Sequence, residues 1–322
     1  MYNVNLNSTY GLHLGTVYCA WNILNDTDLA IKLEPLTNNS TSLEHEYHIL
    51  KQLEGGVGIP HVFWFGREAA YHALTLDLLG PSLHNLFLAH NQMFDLHTAV
   101  NLGDQLLSSL EYIHSRNYVH SDIKPHNVLI GRGNLGQTAF IVDFSAAREY
   151  WNTEAHTHMP FCHGRRLTGT PAFASINNHL GVVLGCCDDL KLLTYMLIYF
   201  LCGSLSWLTS DHKKFSSSSI LACEVDTTIE VLCHGTPSEI ATMLIYLCSL
   251  AFSEDPDHDY LQSLLNDICT TLPPSAACSL DLGQPSDLIM HSTSSPKGHS
   301  VALCEVDCQL KTTTLCRLTC HV

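Results

Sequence analysis

His120-Ser121-Asp122-Ile123-Lys124-Pro125-His126-Asn127 and, a little further on, Ile141-Val142-Asp143-Phe144-Ser145 are the stretches that decide the fold of this chain. Their two aspartates stand twenty-one positions apart. Phosphoryl transfer needs one carboxylate to orient an attacking hydroxyl and a second to hold the magnesium that bridges nucleotide phosphates. An Asn five residues after the first carboxylate supplies another metal ligand, and a Lys two residues after it steadies the transferred group. Asp122, Asp143, Asn127 and Lys124 fill these four roles in type and in spacing. Alone, an Asp before Ile-Lys-Pro is a turn or helix-cap residue. Lys124 and Asn127 are what lift it above that. Tyr118-Val119 leads into the first stretch as a short strand, and Pro125 shapes its turn. Phe140-Ile141-Val142 is an apolar strand that delivers Asp143 to a buried place.

The two stretches resemble the catalytic loop and metal site of protein kinases, and two letters depart from that pattern. Ser121 stands where an Arg ordinarily binds activation-segment anions, so control through that contact is expected to be lost. Ser145 replaces the glycine after Phe144, and a side chain there narrows the backbone angles at a hinge.

Working back toward the N-terminus, Ala30-Ile31-Lys32 reads as strand, so Ala30 and Lys32 share a face. A small Ala under a flat purine and a Lys reaching the α- and β-phosphates suit a nucleotide site. Glu46, on the helix that follows, is placed to pair with Lys32. The phosphate-covering loop is weaker. The expected G-x-G-x-x-G falls on Tyr10 to Gly15, where only Gly15 lands on a required position. Gly11 is one place off, and Leu12 stands where a glycine would let the backbone approach phosphate.

The first eighty residues read as strands with one helix. Val17 to Ile23, Leu29 to Leu33, Val62 to Phe65 and Tyr71 to Leu78 are the strand candidates, with a turn at Asn25-Asp26. Thr41 and Glu44 form a capping box for a helix carrying Leu43, Tyr47 and Leu50, which Gly55-Gly56 ends. Beyond Gly80-Pro81 the pattern is mainly helical. The expected organisation is therefore an α+β chain of two lobes: a small β-rich lobe with one helix over 1–79, and a larger, mainly helical lobe over 80–272. From 273 to 322 the composition turns to Ser, Thr, Pro and Cys without periodicity, as in a poorly ordered tail.

Composition sets the outer limits. The chain has 322 residues, 46% of them hydrophobic and 14% charged, with 31 acidic against 15 basic residues and a net charge of −16. That balance argues against a nucleic-acid binder. Fourteen cysteines without a basic-then-apolar leader point to free thiols in a reducing compartment. The expected location is the cytoplasm, with the nucleus as the other candidate. Cys304, Cys308, Cys316 and Cys320 lack the tight spacing of a zinc knuckle. Leu192 to Leu208 carries no charge, but it is short for a membrane span and reads better as a buried helix.

Further segments carry a resemblance. Gly55-Gly56-Val57-Gly58-Ile59-Pro60, Leu78-Leu79-Gly80-Pro81-Ser82-Leu83, Leu167-Thr168-Gly169-Thr170, Ala174-Ser175-Ile176-Asn177, Asp188-Asp189-Leu190 and Ile229-Glu230-Val231-Leu232-Cys233 resemble the casein kinase 1 family of Ser/Thr protein kinases. The match runs from about Gly15 to Cys269. The resemblance implies a bilobal kinase fold, ATP with magnesium, and proteins with Ser or Thr as substrates of a monomeric enzyme. It implies that Gly15 and Val17 belong to the nucleotide site, that Leu79 offers hinge backbone to adenine, and that Leu76 guards the back pocket above a floor of Leu129. It also implies that Thr170 bridges Asp122 and Lys124, and that Asp189 caps the catalytic loop. His156, His158 and His163 fit that family's activation segment better than a metal cluster. Ala172 and Cys223-Glu224 stand where the family's basic residues for primed or acidic peptides would be, so that preference is not expected here. The altered loop, Ser121 and Ser145 keep open a pseudokinase scaffold with little turnover. A small-molecule phosphotransferase is disfavoured by the Leu-Thr-Gly-Thr segment.

Overall fold

The structure, a computed structural model, describes residues 2–12, 15–22, 26–36, 42–208 and 216–272. The tail from 273 onward, with its four spaced cysteines, lies outside these residues, as do Asn25 and the Thr41 of the expected capping box.

Strand β1 (Tyr2–Leu12) pairs antiparallel with β2 (Gly15–Asn22), and β2 pairs with β3 (Thr27–Pro35). Helix α1 (Ser42–Gln52) follows, and β4 (Val62–Glu68) and β5 (Tyr71–Asp77) complete a five-stranded antiparallel sheet of order β1-β2-β3-β5-β4. Sequence reasoning missed β1. Its signal was present in the alternation of Tyr2, Val4 and Leu6 with Asn3, Asn5 and Asn7, but asparagine is a turn former, and it masked the period of two. Helix α1 starts where Leu43 N–H donates to the Glu34 carboxylate of β3 at 3.0 Å. A side chain from the sheet thus satisfies one of the helix's orphan donors and fixes α1 against β3.

The larger lobe opens with α2 (Leu83–Ala89) and α3 (Leu96–Ser115), capped by Ser82 and Asp95, whose side chains accept from Asn85 N–H and Thr98 N–H. Short strands follow: β6 (Tyr118–Val119), β7 (Val128–Ile130), β8 (Ala139–Ile141), β9 (Arg148–Glu149), β10 (Trp151–Asn152) and β11 (Thr157–His158). The β7/β8 hairpin and the β6/β9 pair clamp the segments that hold Asp122 and Asp143. The rest is helical: α4 (Ile176–His179), α5 (Cys186–Cys202), α6 (Ser217–Asp226), α7 (Ile229–Leu232), α8 (Ser238–Ser249) and α9 (His258–Thr271). This is the α+β, two-lobed architecture expected from the sequence.

The uncharged run read as Leu192 to Leu208 proves to be a helix set six residues earlier. Asp188 and Asp189 sit inside its first turn, not ahead of it. Asp188 Oδ2 accepts from Gly185 N–H at 3.0 Å, and two carboxylates suit the positive end of the helix dipole. Gly203, at φ 80°, turns its N–H back to Tyr199 O at 2.9 Å and ends the helix, a left-handed cap that glycine adopts at little cost. Leu193, Met196, Ile198 and Phe200 are all fully buried, each contributing about 1.5–3 kcal/mol of hydrophobic stabilisation. One core cluster joins α1 of the small lobe to α3, α5, α8 and α9 of the large one. Among the described residues, no helix is long and apolar enough to cross a membrane.

Candidate active site

Lys32 lies in β3, in register with Val17 on β2 and Leu74 on β5. Ala30 and Lys32 face a cleft between the lobes while Ile31 packs on the opposite side of the sheet against Ala20 and Ala73, as the strand period requires. Lys32 is only 4% exposed. Its Nζ donates to Glu46 Oε2 at 2.7 Å and to Asp143 Oδ1 at 2.9 Å. Burial works against its charge, but Glu46 and then Asp143 more than offset that, so its pKa is raised and the ammonium is locked in. Burial pushes Glu46 above the usual carboxylate range. At Asp143 burial acts the same way, but Lys32 and a hydrogen bond from Ser145 prevail and hold it below that range.

The cleft encloses about 300 Å³, at the lower end of small-molecule sites. Val17, Ala30, Lys32, Glu46, Leu76, Leu79, Leu129 and Asp143 all line it. Sequence reasoning overlooked Asn85, Val142 and His126, which also line it. His126 lies between Lys124 and Asn127 in the same loop as Asp122, and its ring stacks on His84 with centroids 3.8 Å apart. Gly15 belongs to the five-stranded sheet, its backbone paired with Leu12 across the β1/β2 hairpin. The Tyr10–Gly15 stretch is therefore paired strand on both sides of residues 13 and 14, which lie outside the described set.

Asp122 sits below the cleft and is 7% exposed. Its Oδ2 accepts from Lys124 Nζ at 2.6 Å and from Asn127 Nδ2 at 2.9 Å. Its Oδ1 accepts from Thr170 N–H at 3.0 Å, and Lys124 Nζ also donates to Thr170 Oγ1 at 2.7 Å. Asn127 Nδ2 reaches Asp122 O as well, at 2.9 Å, so the amide oxygen is the atom able to meet a cation. Pro125–Asn127 forms a short 3-10 turn with Pro first, a position that needs no N–H donor. Lys124, Asn127 and Thr170 thus converge on the Asp122 carboxylate, while Asp143 is held separately by Lys32.

The loop's backbone is fixed from below. Asp189 of α5 accepts from His120 N–H at 2.6 Å, from Ser121 N–H at 2.7 Å, and from His114 Nε2–H at 3.1 Å. His120 Nδ1 accepts from Asp122 N–H, so Nε2 carries the ring proton and donates to Val142 O at 3.2 Å. The same ring packs edge-on against fully buried Phe144. One imidazole therefore ties the Asp122 loop to the Asp143 loop. Ser121 holds a left-handed φ of 68°, and it lines a cavity of about 90 Å³ together with Arg148, Arg165 and Arg166. Burial and the neighbouring Arg165 lower the Arg148 pKa. Positive charge absent from residue 121 is thus supplied by the segment beside it.

Ser145 narrows the backbone less than its position suggests. It lies in a 3-10 turn over Phe144–Ala146, and the left-handed residue is Asp143, at φ 67° and ψ 66°. The carboxylate of Asp143 points into the cleft at Lys32. His158 packs between Tyr150 and Phe252, and His163 packs on Phe161. Among the described residues, no group of three or more His, Cys, Asp or Glu side chains could hold a metal, and none of the nine described cysteines is joined in a disulfide.

The family model of the protein kinase domain matches residues 13–176, just over half of the chain. That span holds every residue of the cleft and of the Asp122 cluster named above. The chain belongs to the protein kinase domain family.

Proposed function

We propose that this protein is a Ser/Thr protein kinase of casein kinase 1-like type that uses ATP and magnesium. The observation that carries the reading is the convergence of Lys124, Asn127 and Thr170 on Asp122, below a cleft where Lys32 joins Glu46 to Asp143. The Asp143 carboxylate and the Asn127 amide oxygen are hard ligands that suit magnesium, and Lys32 is placed to meet the phosphates. Bound Mg-ATP supplies the phosphoryl group and neutralises its charge. The chain's own residues do the rest. Asp122 orients a protein hydroxyl and takes its proton, while Thr170 holds Asp122 from the substrate side. Lys124 offsets negative charge that develops at the transferred group, a preorganised electrostatic contribution that needs no rearrangement during the reaction. The domain limits we adopt are 1–79 and 80–272.

A preference for primed or acidic peptides does not belong to this reading. Glu224 is buried and offers no basic contact, Ala172 is neutral, and the net charge of −16 opposes an acidic partner. One feature supports a scaffold with little turnover instead: the phosphate-covering segment is largely paired β-strand with Leu12 in it. The preserved Asp122 cluster weighs more, because losing a loop glycine weakens nucleotide holding while losing Asp122 removes the chemistry.

The test is a radiolabelled γ-phosphate transfer assay on generic protein substrates. Wild type should transfer phosphate and Asp122→Ala should not. Equal signal from the two overturns the catalytic reading. Mg-ATP at a hundred times its dissociation constant should stabilise the fold by about 2.7 kcal/mol, and an unmoved melting temperature favours the scaffold.

A further inference from the structure

Ser145 brings a hydroxyl to a place where the sequence pattern leads one to expect hydrogen. Its Oγ donates to Asp143 Oδ1 at 2.8 Å, and Lys32 Nζ donates to that same oxygen at 2.9 Å. Two donors from opposite lobes therefore fix one oxygen of the carboxylate, and Oδ2 is the oxygen that faces neither. Asp143 needs fixing. Its left-handed backbone costs a non-glycine residue roughly 1–2 kcal/mol and persists only where neighbouring contacts over-determine it.

Those contacts can be named. Phe144 is fully buried against His120. The 3-10 turn closes with Ala147 N–H to Phe144 O at 3.1 Å. The third contact is the Ser145 hydroxyl, two residues beyond the carboxylate it holds. In a 3-10 turn an L-residue sits without strain, so the serine adds a donor at no backbone cost. A glycine would lack that donor and would widen the backbone's choices.

We propose that Ser145 is a positioning residue for the cation site: its hydroxyl presets the Asp143 carboxylate toward the cleft before nucleotide and magnesium arrive. This rests on the reading of Asp143 as a metal ligand given above. On this view the serine is a compensation, tightening the metal end of the site in a chain whose phosphate-covering segment is weakened. Restoring glycine at this position then loosens the site instead of repairing it.

The experiment uses the full chain and a binding readout independent of turnover. Melting temperature is followed during a Mg2+ titration at a fixed, saturating concentration of a non-hydrolysable ATP analogue, for wild type, Ser145→Ala, Ser145→Gly and Ser145→Thr. Loss of the hydroxyl should raise the apparent Mg2+ constant about tenfold in both the Ala and Gly variants, the scale expected for one hydrogen bond to a charged group. Threonine, which keeps the donor, should return it to within about threefold of wild type. A merely structural serine would lower the metal-free melting temperature and leave the Mg2+ constant where it was, and that result overturns the proposal. So does a threonine variant no better than alanine. If one variant fails to fold, the comparison of the remaining two with wild type still decides. A wild-type protein that shows no Mg2+-dependent shift at all sinks the nucleotide-site reading itself, an outcome distinct from a wild type that responds and an alanine variant that responds equally.

Discussion

A single methyl group at position 169 would be enough to dislodge Asp122. Gly169 holds φ at +77°, and a Cβ built there overlaps the Asp122 carboxylate at Oδ1. That oxygen is the one receiving Thr170 N–H, so no slack exists on that side. Gly169→Ala should therefore cut phosphate transfer by about a hundredfold, the penalty for a misplacement on the order of 1 Å, with a loss of about 1–2 kcal/mol in stability from the left-handed backbone. Initial rates and urea melts check both halves, and a variant with full activity would show that Asp122 works from another position. At this scale the grouping of Lys124 and Asn127 with Asp122, and the placement of Asp143 at the cleft, could be read from the spacing of the residues. The role of Ser145 could not. Its hydrogen bond to Asp143 exists only because Asp143 is left-handed and the next three residues form a 3-10 turn, and no residue pattern announces that combination.

Elements show a different division. The capping role of Asp189 could be foreseen, but the start of α5 could not, because two aspartates look like a boundary when they are in fact a first turn stabilised by the helix dipole. α6 carries a less visible feature. Glu224 is fully buried and lies 3.8 Å from His179 Nε2 on α4, with Tyr195, Lys191 and Asp188 of α5 acting on it from the other side. Burial pushes its carboxyl up to about 8, a rise only partly offset by Tyr195 and Lys191, while burial lowers His179. A carboxyl raised in the folded state gives stability that is complete below its unfolded value of 4.5 and is lost as pH climbs through about 8. Glu224→Gln keeps the shape and removes the titration. Its stability relative to wild type should therefore grow between about pH 4.5 and pH 8 and level off above, by a few kcal/mol given about 1.4 kcal/mol per unit. Chemical denaturation at several pH values checks this. A constant difference across the range would mean that Glu224 is ionised in the folded protein.

At the scale of the whole molecule, the order of elements, a small sheet with one helix and then a helical body, was the most readable property of all. Hydrophobic period and turn residues carry it directly. β1 escaped because asparagines, as turn formers, masked an intact period of two. What joins the two lobes is less visible in sequence, since it rests on long-range pairs. Lys32–Asp143 is buried, and His45 Nε2–H donates to Ala147 O at 2.8 Å. Arg132–Asp28 also spans the lobes at 3.2 Å, but its side chains are 50% and 41% exposed. An exposed pair contributes about 0–1 kcal/mol. Arg132→Ala should thus leave the Mg-ATP melting shift unchanged and alter stability by less than about 1 kcal/mol, whereas a larger loss in a thermal melt would mark this pair as a true strut.

Fourteen of the seventeen residues of α5 are buried, and the helix has no broad wet side. A segment enclosed on every side lacks neutral positions, because even a conservative exchange changes the volume of a close-packed interior. In a comprehensive substitution survey of this chain, α5 would stand out as a continuous band of intolerance, without the every-third-or-fourth-residue relief seen in helices that touch water. Tolerance for substitution should therefore lie at the periphery of the molecule and not along this central rod.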